Sequence, residues 1–164
     1  MKSIIIEGPN GAGKSTLGKH IAERLGIGYV HAGPSPGDDM EAFIACIKQY
    51  HALTRSRIVL DRCTPISRRI YELPISEDHE RILDMWCKVL CDRAVVVYCT
   101  GEGKFSEKHY YPKGHFEEIV SEQQSIRNRY DELMAGIPHL TYNWNTDSYI
   151  CFMGKLRDAI YDGP

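Results

Sequence analysis

The chain has 164 residues, 43% of them hydrophobic and 26% charged, with a formal net charge of -2. That composition is the composition of an ordinary globular protein, and the length predicts a single domain over 1–164 that buries about two thirds of its unfolded surface. The small net charge argues against a general nucleic-acid binder, no apolar run approaches the roughly 20 residues of a membrane span, and the start carries no signal-peptide pattern.

The run Lys2–Glu7 reads as a buried strand, and Lys14–Leu25 as an amphipathic helix with Leu17, Ile21, Ala22 and Leu25 on one face, stopped by Gly26. Between them, Gly8-Pro9-Asn10-Gly11-Ala12-Gly13-Lys14-Ser15 satisfies G-x-x-x-x-G-K-[ST] in the strand, loop, helix context that gives this pattern its meaning. Glycines let the backbone curl until successive N–H groups face one phosphate, and the helix N-terminus adds roughly half a positive charge. Lys14 can reach the outer phosphates, and Ser15 can ligate a Mg²⁺ that bridges them.

A short strand, Gly28–His31, runs into a loop over Ala32–Gly37, after which Asp38 or Asp39 caps a helix reaching about Thr54 with Phe43, Ile44, Ile47 and Tyr50 on its buried face. Arg57–Asp61 is a central strand by its apolar run. Cys63–Pro65 turns, Ile66–Leu73 forms a short helix that Pro74 stops, and Ser76 opens another that runs to about Cys91. Arg93–Thr100 is a strand buried on both faces. Residues 101–114 lack periodicity and carry three glycines, three lysines and Pro112, the marks of a long functional loop. A helix over His115–Ala135, a strand over Pro138–Asn143 and a helix over Asp147–Tyr161 complete the chain. This alternation predicts an α/β fold with a parallel sheet covered on both sides. Ligands in such sheets sit beyond the carboxyl ends of the strands, which gathers the glycine loop, the His31–Gly37 loop, Asp61-Arg62 and the loop after Thr100 around one cleft.

The six cysteines include no C-x-x-C pair. Cys87 and Cys91 lie one helical turn apart with His79 two turns earlier, but a zinc site there would need further ligands that the sequence lacks. Reduced, mostly buried thiols are the reading, with a cytoplasmic location as its consequence.

Asp61-Arg62 ends the third strand, so both side chains project beside the phosphate loop. A carboxylate there can hold the hydration shell of Mg²⁺ or take a proton from the attacking group, and an arginine can clamp a second phosphate. Bringing two phosphates together is mainly a matter of positioning and charge neutralisation, which these groups provide.

With these residues in view, the chain resembles a known family. Ile6-Glu7-Gly8, Gly11-Ala12-Gly13-Lys14-Ser15-Thr16 and Val59-Leu60-Asp61-Arg62, with Ser67 and Tyr71 downstream, look like the corresponding segments of thymidylate kinases and especially of phage-type deoxynucleoside monophosphate kinases. Ile126-Arg127-Asn128-Arg129-Tyr130 looks like the helix that follows their lid. The resemblance implies a three-layer P-loop kinase fold with a five-stranded parallel sheet in the order 2-3-1-4-5, and transfer of a phosphoryl group from ATP, with Mg²⁺, to a pyrimidine deoxynucleoside monophosphate. By the same resemblance Gly8, Asn10, Gly11, Ala12, Gly13, Lys14, Ser15, Thr16 and Arg127 hold ATP, and Ser15 and Asp61 hold the metal. Lys14, Asp61 and Arg62 are catalytic, and Arg62, Ser67 and Tyr71 meet the acceptor. Glu7, where the first strand ends, either hydrogen-bonds the acceptor or a water or fixes the local conformation. The 101–114 loop becomes a lid whose cations are Lys104, Lys108 and Lys113, and homodimers through the helices flanking the third strand are common in the family.

The chain departs from that pattern where Asn10 replaces an acidic residue that touches the acceptor sugar, and where His31–Gly37 lacks the usual arginine, which leaves the acceptor base open. Smaller expectations are one of Arg68 and Arg69 facing the acceptor, Met85 and Trp86 either walling the acceptor base or packing on the sheet, and Asn143–Thr146 beside the adenine of ATP. A nucleoside kinase is an alternative, with Asp38 or Asp39 as base for a sugar hydroxyl. A regulatory ATPase would need switch segments, and a polynucleotide 5′-kinase a more basic face.

Overall fold

A computed structural model describes residues 1–32, 39–71, 77–102 and 116–161. The strands are β1 (Ser3–Glu7), β2 (Gly28–His31), β3 (Ile58–Asp61), β4 (Ala94–Cys99) and β5 (Leu140–Tyr142). The helices are α1 (Lys14–Leu25), α2 (Met40–Leu53), α3 (Thr64–Tyr71), α4 (Glu77–Arg93), α5 (Phe116–Met134) and α6 (Tyr149–Tyr161). All strand pairs are parallel, and the order is β2-β3-β1-β4-β5.

The period of two along each strand sends alternate side chains to opposite faces, and this divides the core into two. Ile5, Leu60, Val96 and Tyr98 face one side, where Tyr50, Ile66, Ile70, Leu90, Ile126 and Tyr130 bring α2, α3, α4 and α5 against them. Ile4, Ile6, Val59, Val97 and Cys99 face the other, under Leu17 and Ile21 of α1 and Phe152, Leu156 and Ile160 of α6. The result is three layers with β1 in the middle of the sheet, buried along its whole length. Each fully buried isoleucine or leucine in those rows contributes roughly 1.5–3 kcal/mol relative to exposure, so the central strands anchor the loops that follow them.

Element boundaries follow local chemistry. Asp39, not Asp38, caps α2, its carboxylate accepting the N–H groups of Glu41 and Ala42 at 3.0 and 3.1 Å. α3 starts at Thr64, two residues earlier than expected, because Pro65 fits a first helical turn where no N–H is needed. Arg57, expected inside β3, sits just before it with φ 54°, in the left-handed region that ends the preceding 3-10 turn (Thr54–Ser56). Residues 33–38, 72–76 and 103–115, which include most of the second loop, Pro74, Ser76 and the expected lid with its lysines, lie outside the described residues. Trp86 joins a small cluster of Phe43, Ile47 and Leu83 between α2 and α4, while Met85 is 55% exposed. Among the described residues no helix is long and apolar enough to cross a membrane.

Candidate active site

The carboxyl ends of β1 and β3 meet at a cleft floor built of four charged side chains: Glu7, Lys14, Asp61 and Arg62. β1 ends at Glu7 and the chain turns at once through Gly8, where φ is 144° and an added Cβ would lie 2.3 Å from the Cys99 carbonyl oxygen. Only glycine fits that approach. Gly11 and Gly13 take φ 76° and 82°, and Gly13 is the N-cap of α1. Left-handed residues alternating with right-handed ones turn successive N–H groups into one concavity, the backbone shape that receives an anion. Lys14 opens α1, is 6% exposed and donates from Nζ to the Pro9 carbonyl at 2.6 Å, so its stem is fixed across the loop.

Burial lowers the Lys14 ammonium to about 8, with the neighbouring Arg62 adding to the shift and Glu7 and Asp61 opposing it. Phosphate oxygens would raise it again toward its ordinary 10.5, so triphosphate binding takes up a proton between those limits. A triphosphate received by this loop would therefore be held fully below pH 8 and less tightly above it. Calorimetry at pH 9 in buffers of different ionisation enthalpy is expected to show the uptake, which Lys14→Met abolishes; equal signals from both proteins would refute it.

Asp61 ends β3 with 0% exposure. Its Oδ2 accepts from Ser15 Oγ at 2.6 Å, Tyr29 OH at 2.6 Å and His31 Nδ1 at 3.0 Å. Burial alone would raise this carboxyl, but the three hydrogen bonds outweigh it and hold it below its ordinary range. Its other oxygen, Oδ1, is buried and has no partner among the described residues. A hydroxyl beside a carboxylate with one unused oxygen is a hard, oxygen-only donor set that fits Mg²⁺, which keeps several waters in such sites. Tyr29 was not expected at the site, and His31 was expected only as the start of a loop lining the cleft. Their signal is parallel register, since His31 pairs with Asp61 across the β2–β3 ladder and residue 29 shares its face.

Arg62 holds φ 75°, a left-handed conformation that costs a non-glycine residue about 1–3 kcal/mol. Its N–H donates to the Ile6 carbonyl at 2.9 Å, its Nη2 to Asn10 Oδ1 at 2.5 Å, and its guanidinium lies 4.9 Å from the centroid of the Tyr71 ring. A planar cation is thus clamped between the phosphate loop and α3, in a shape that suits a phosphate.

Glu7, expected either to meet the acceptor or to fix local conformation, is buried at 0% exposure. Oε1 accepts the Cys63 N–H and the Ser67 hydroxyl at 3.0 Å, and Oε2 accepts the Tyr130 hydroxyl at 3.0 Å. Ser67, also expected at the acceptor, faces Glu7 for the same reason: it lies one turn before Tyr71 on the inner side of α3. Burial pushes the Glu7 carboxyl up, with the Cys63 N–H, Arg62, Tyr130 and Lys14 restraining it. It ties β1, the turn after Arg62, α3 and α5 together. Glu7→Leu is expected to lose roughly 3 kcal/mol of stability in urea denaturation, since the Cys63 N–H cannot turn to another acceptor, and Glu7→Gln about 1 kcal/mol. Equal stability of the leucine variant and the parent would show the hub to be idle.

The remaining expected residues fall as follows. Thr16 and Ser15 are exposed at the start of α1. Arg127 is half-buried on α5, its charge acting on the Tyr98 hydroxyl rather than through a hydrogen bond to the phosphate loop. Arg68 is 3% exposed with its guanidinium 4.7 Å from the Phe43 ring centroid, and Arg69 pairs with Asp84 of α4. Trp144 follows β5 and is 46% exposed; a Cβ on Gly13 would stand 2.9 Å from its ring. Beside it opens a cavity of about 340 Å³ lined by Gly11, Thr16, His20, Trp144 and Tyr149.

No family model matches the chain. A cytidylate kinase of Alkaliphilus oremlandii is 63% identical over 30 residues, which is 18% of this chain and 14% of that protein's length. Among solved structures, the YorR protein of Bacillus subtilis in complex with phosphorylated GDP aligns with a TM-score of 0.65 at 19% identity, over 96% of this chain and 93% of that one. Shikimate kinase of Acinetobacter baumannii, in complex with shikimate, gives 0.63 at 19% identity over 98% and 93%. Thymidylate kinase of Ehrlichia chaffeensis gives 0.54 at 14% over 95% and 96%. With a parallel sheet in the order 2-3-1-4-5 and a phosphate loop between β1 and α1, the chain has the P-loop kinase fold.

Proposed function

We propose that this protein is an ATP- and Mg²⁺-dependent phosphotransferase that converts a nucleoside monophosphate, a pyrimidine deoxynucleotide, to its diphosphate. The observation that carries the reading is the guanidinium of Arg62, held by Asn10 and Tyr71 at the mouth of the phosphate loop. Two anion sites on adjacent strand ends suit a reaction in which both partners carry phosphate. The relatives add support, since one bears the name cytidylate kinase and another thymidylate kinase.

In this reading the glycine loop and Lys14 hold the outer phosphates of ATP, and Trp144 walls the cavity that receives its base. Ser15 and Asp61 would hold Mg²⁺, which when bound supplies charge neutralisation between the β- and γ-phosphates. Arg62 aims the acceptor phosphate at the γ-phosphorus, and Tyr71 backs the guanidinium. The nucleoside-kinase alternative is weakened by Asp39, whose carboxylate is engaged in capping α2; Asp38 lies outside the described residues. A coupled assay offering ATP, Mg²⁺ and a panel of nucleosides and nucleoside monophosphates decides. ADP formation with pyrimidine monophosphates is the expected result, and turnover with nucleosides alone would replace this reading with the alternative.

A further inference from the structure

The phosphotransfer chemistry above leaves two side chains of the cleft without a task, and both come from the edge strand β2. Parallel pairing sets His31 beside Asp61 and Tyr29 beside Val59, so the imidazole and the phenol approach the end of β3 from one face. Both reach the same atom. The Tyr29 hydroxyl donates to Asp61 Oδ2 at 2.6 Å and His31 Nδ1 stands 3.0 Å from it, in addition to Ser15 Oγ at 2.6 Å. An ionised carboxylate only accepts, so these contacts require the hydrogen on His31 Nδ1. Three donors on one oxygen leave Oδ1 buried and, among the described residues, unpartnered. A carboxylate free to choose would share its donors between both oxygens, because an orphaned buried acceptor costs about 1–3 kcal/mol.

The seat of Tyr29 is shaped from the opposite side. Gly18 lies in the second turn of α1, where glycine costs about 1 kcal/mol of helix stability relative to alanine. A Cβ there would stand 2.8 Å from Tyr29 Cε2 and 3.2 Å from Ile6 Cδ1. The missing methyl group is the room that the phenol ring occupies.

We infer that Tyr29 and His31 are positioning residues that clamp Oδ2 of Asp61 and so reserve Oδ1 for the hydration shell of the Mg²⁺ that accompanies ATP. This rests on the reading of the cleft as a nucleotide site. Partners that orient a metal-holding carboxylate typically change metal affinity by about 10- to 100-fold when removed. Mn²⁺ uptake in the presence of ATP, followed by electron paramagnetic resonance, measures this without acceptor or turnover. Tyr29→Phe and His31→Ala are each expected to weaken Mn²⁺ binding by about tenfold or more, with ATP affinity in EDTA unchanged within about twofold. His31→Asn, which keeps a donor at the Nδ1 position, restores most of the loss. Gly18→Ala, acting from the helix through the ring, reproduces the Tyr29→Phe defect.

Unchanged Mn²⁺ affinity in a folded Tyr29→Phe/His31→Ala double variant overturns the inference. So does a parallel loss of metal-free ATP affinity, which would mean that the phosphate loop itself has moved, and so does a parent protein that takes up no Mn²⁺ with ATP. If the parent binds Mn²⁺ with ATP and the variants lose it, yet no monophosphate is turned over, the clamp stands and the proposed reaction falls.

Discussion

Arg62→Ala is expected to lower kcat/KM for the acceptor nucleotide by about 100- to 1,000-fold, or about 2.7–4 kcal/mol, while leaving the KM for ATP within about twofold. The reason is geometric. The guanidinium is fixed by Asn10 and by the Tyr71 ring before any acceptor arrives, and its backbone is held in a left-handed conformation by the N–H bond to Ile6. Ordering is thus built into the fold rather than required at binding, so removal of the side chain takes away both the charge and the orientation. Arg62→Lys keeps the charge but loses the planar fork and the stacking, and recovers less than a tenth of the activity. Steady-state kinetics with both substrates varied separates the two KM effects. An alanine variant whose acceptor kinetics match the parent would remove Arg62 from the site.

Lys14→Ala is expected to abolish turnover, by about 1,000-fold or more in kcat, with ATP affinity weakened as well. Lys14 is nearly buried and tethered over the loop by Pro9, so no other cation can move into its place without rebuilding the first turn of α1. Arg62, the nearest alternative charge, is committed to Asn10 and Tyr71. Single-turnover measurements at saturating ATP distinguish lost chemistry from lost binding. Retained turnover at more than about a tenth of the parent rate would mean that the loop does not hold the transferred phosphate.

What the sequence made legible is what depends on local rules. Strand, glycine loop and helix are contiguous, so α1 and β2 begin and end where periodicity and Gly26 put them. The Asp61-Arg62 pair is legible because it ends an apolar run and therefore a strand. Side-chain partnerships across the sheet were not legible. Glu7 meets Tyr130 across 123 residues and Asp61 meets His31 across 30, and such distances carry no local signature. That Glu7 fixes local conformation is one of the two roles its position suggests, but its partners Ser67 and Tyr130 have no signature in the sequence. The identity of the α2 cap depended on which of two adjacent aspartates reached back to the helix N–H groups, a matter of one backbone turn.

The central claim is that main-chain amides of Gly8–Ser15 grip a triphosphate while Arg62 presents a second phosphate in line with it. Its most direct test is a crystal structure with a non-hydrolysable ATP analogue, Mg²⁺ and a pyrimidine deoxynucleoside monophosphate. The predicted result is the triphosphate tail in the glycine loop and the monophosphate on the Arg62 fork. A mononucleotide bound elsewhere, or a loop without phosphate at the first turn of α1, would contradict it.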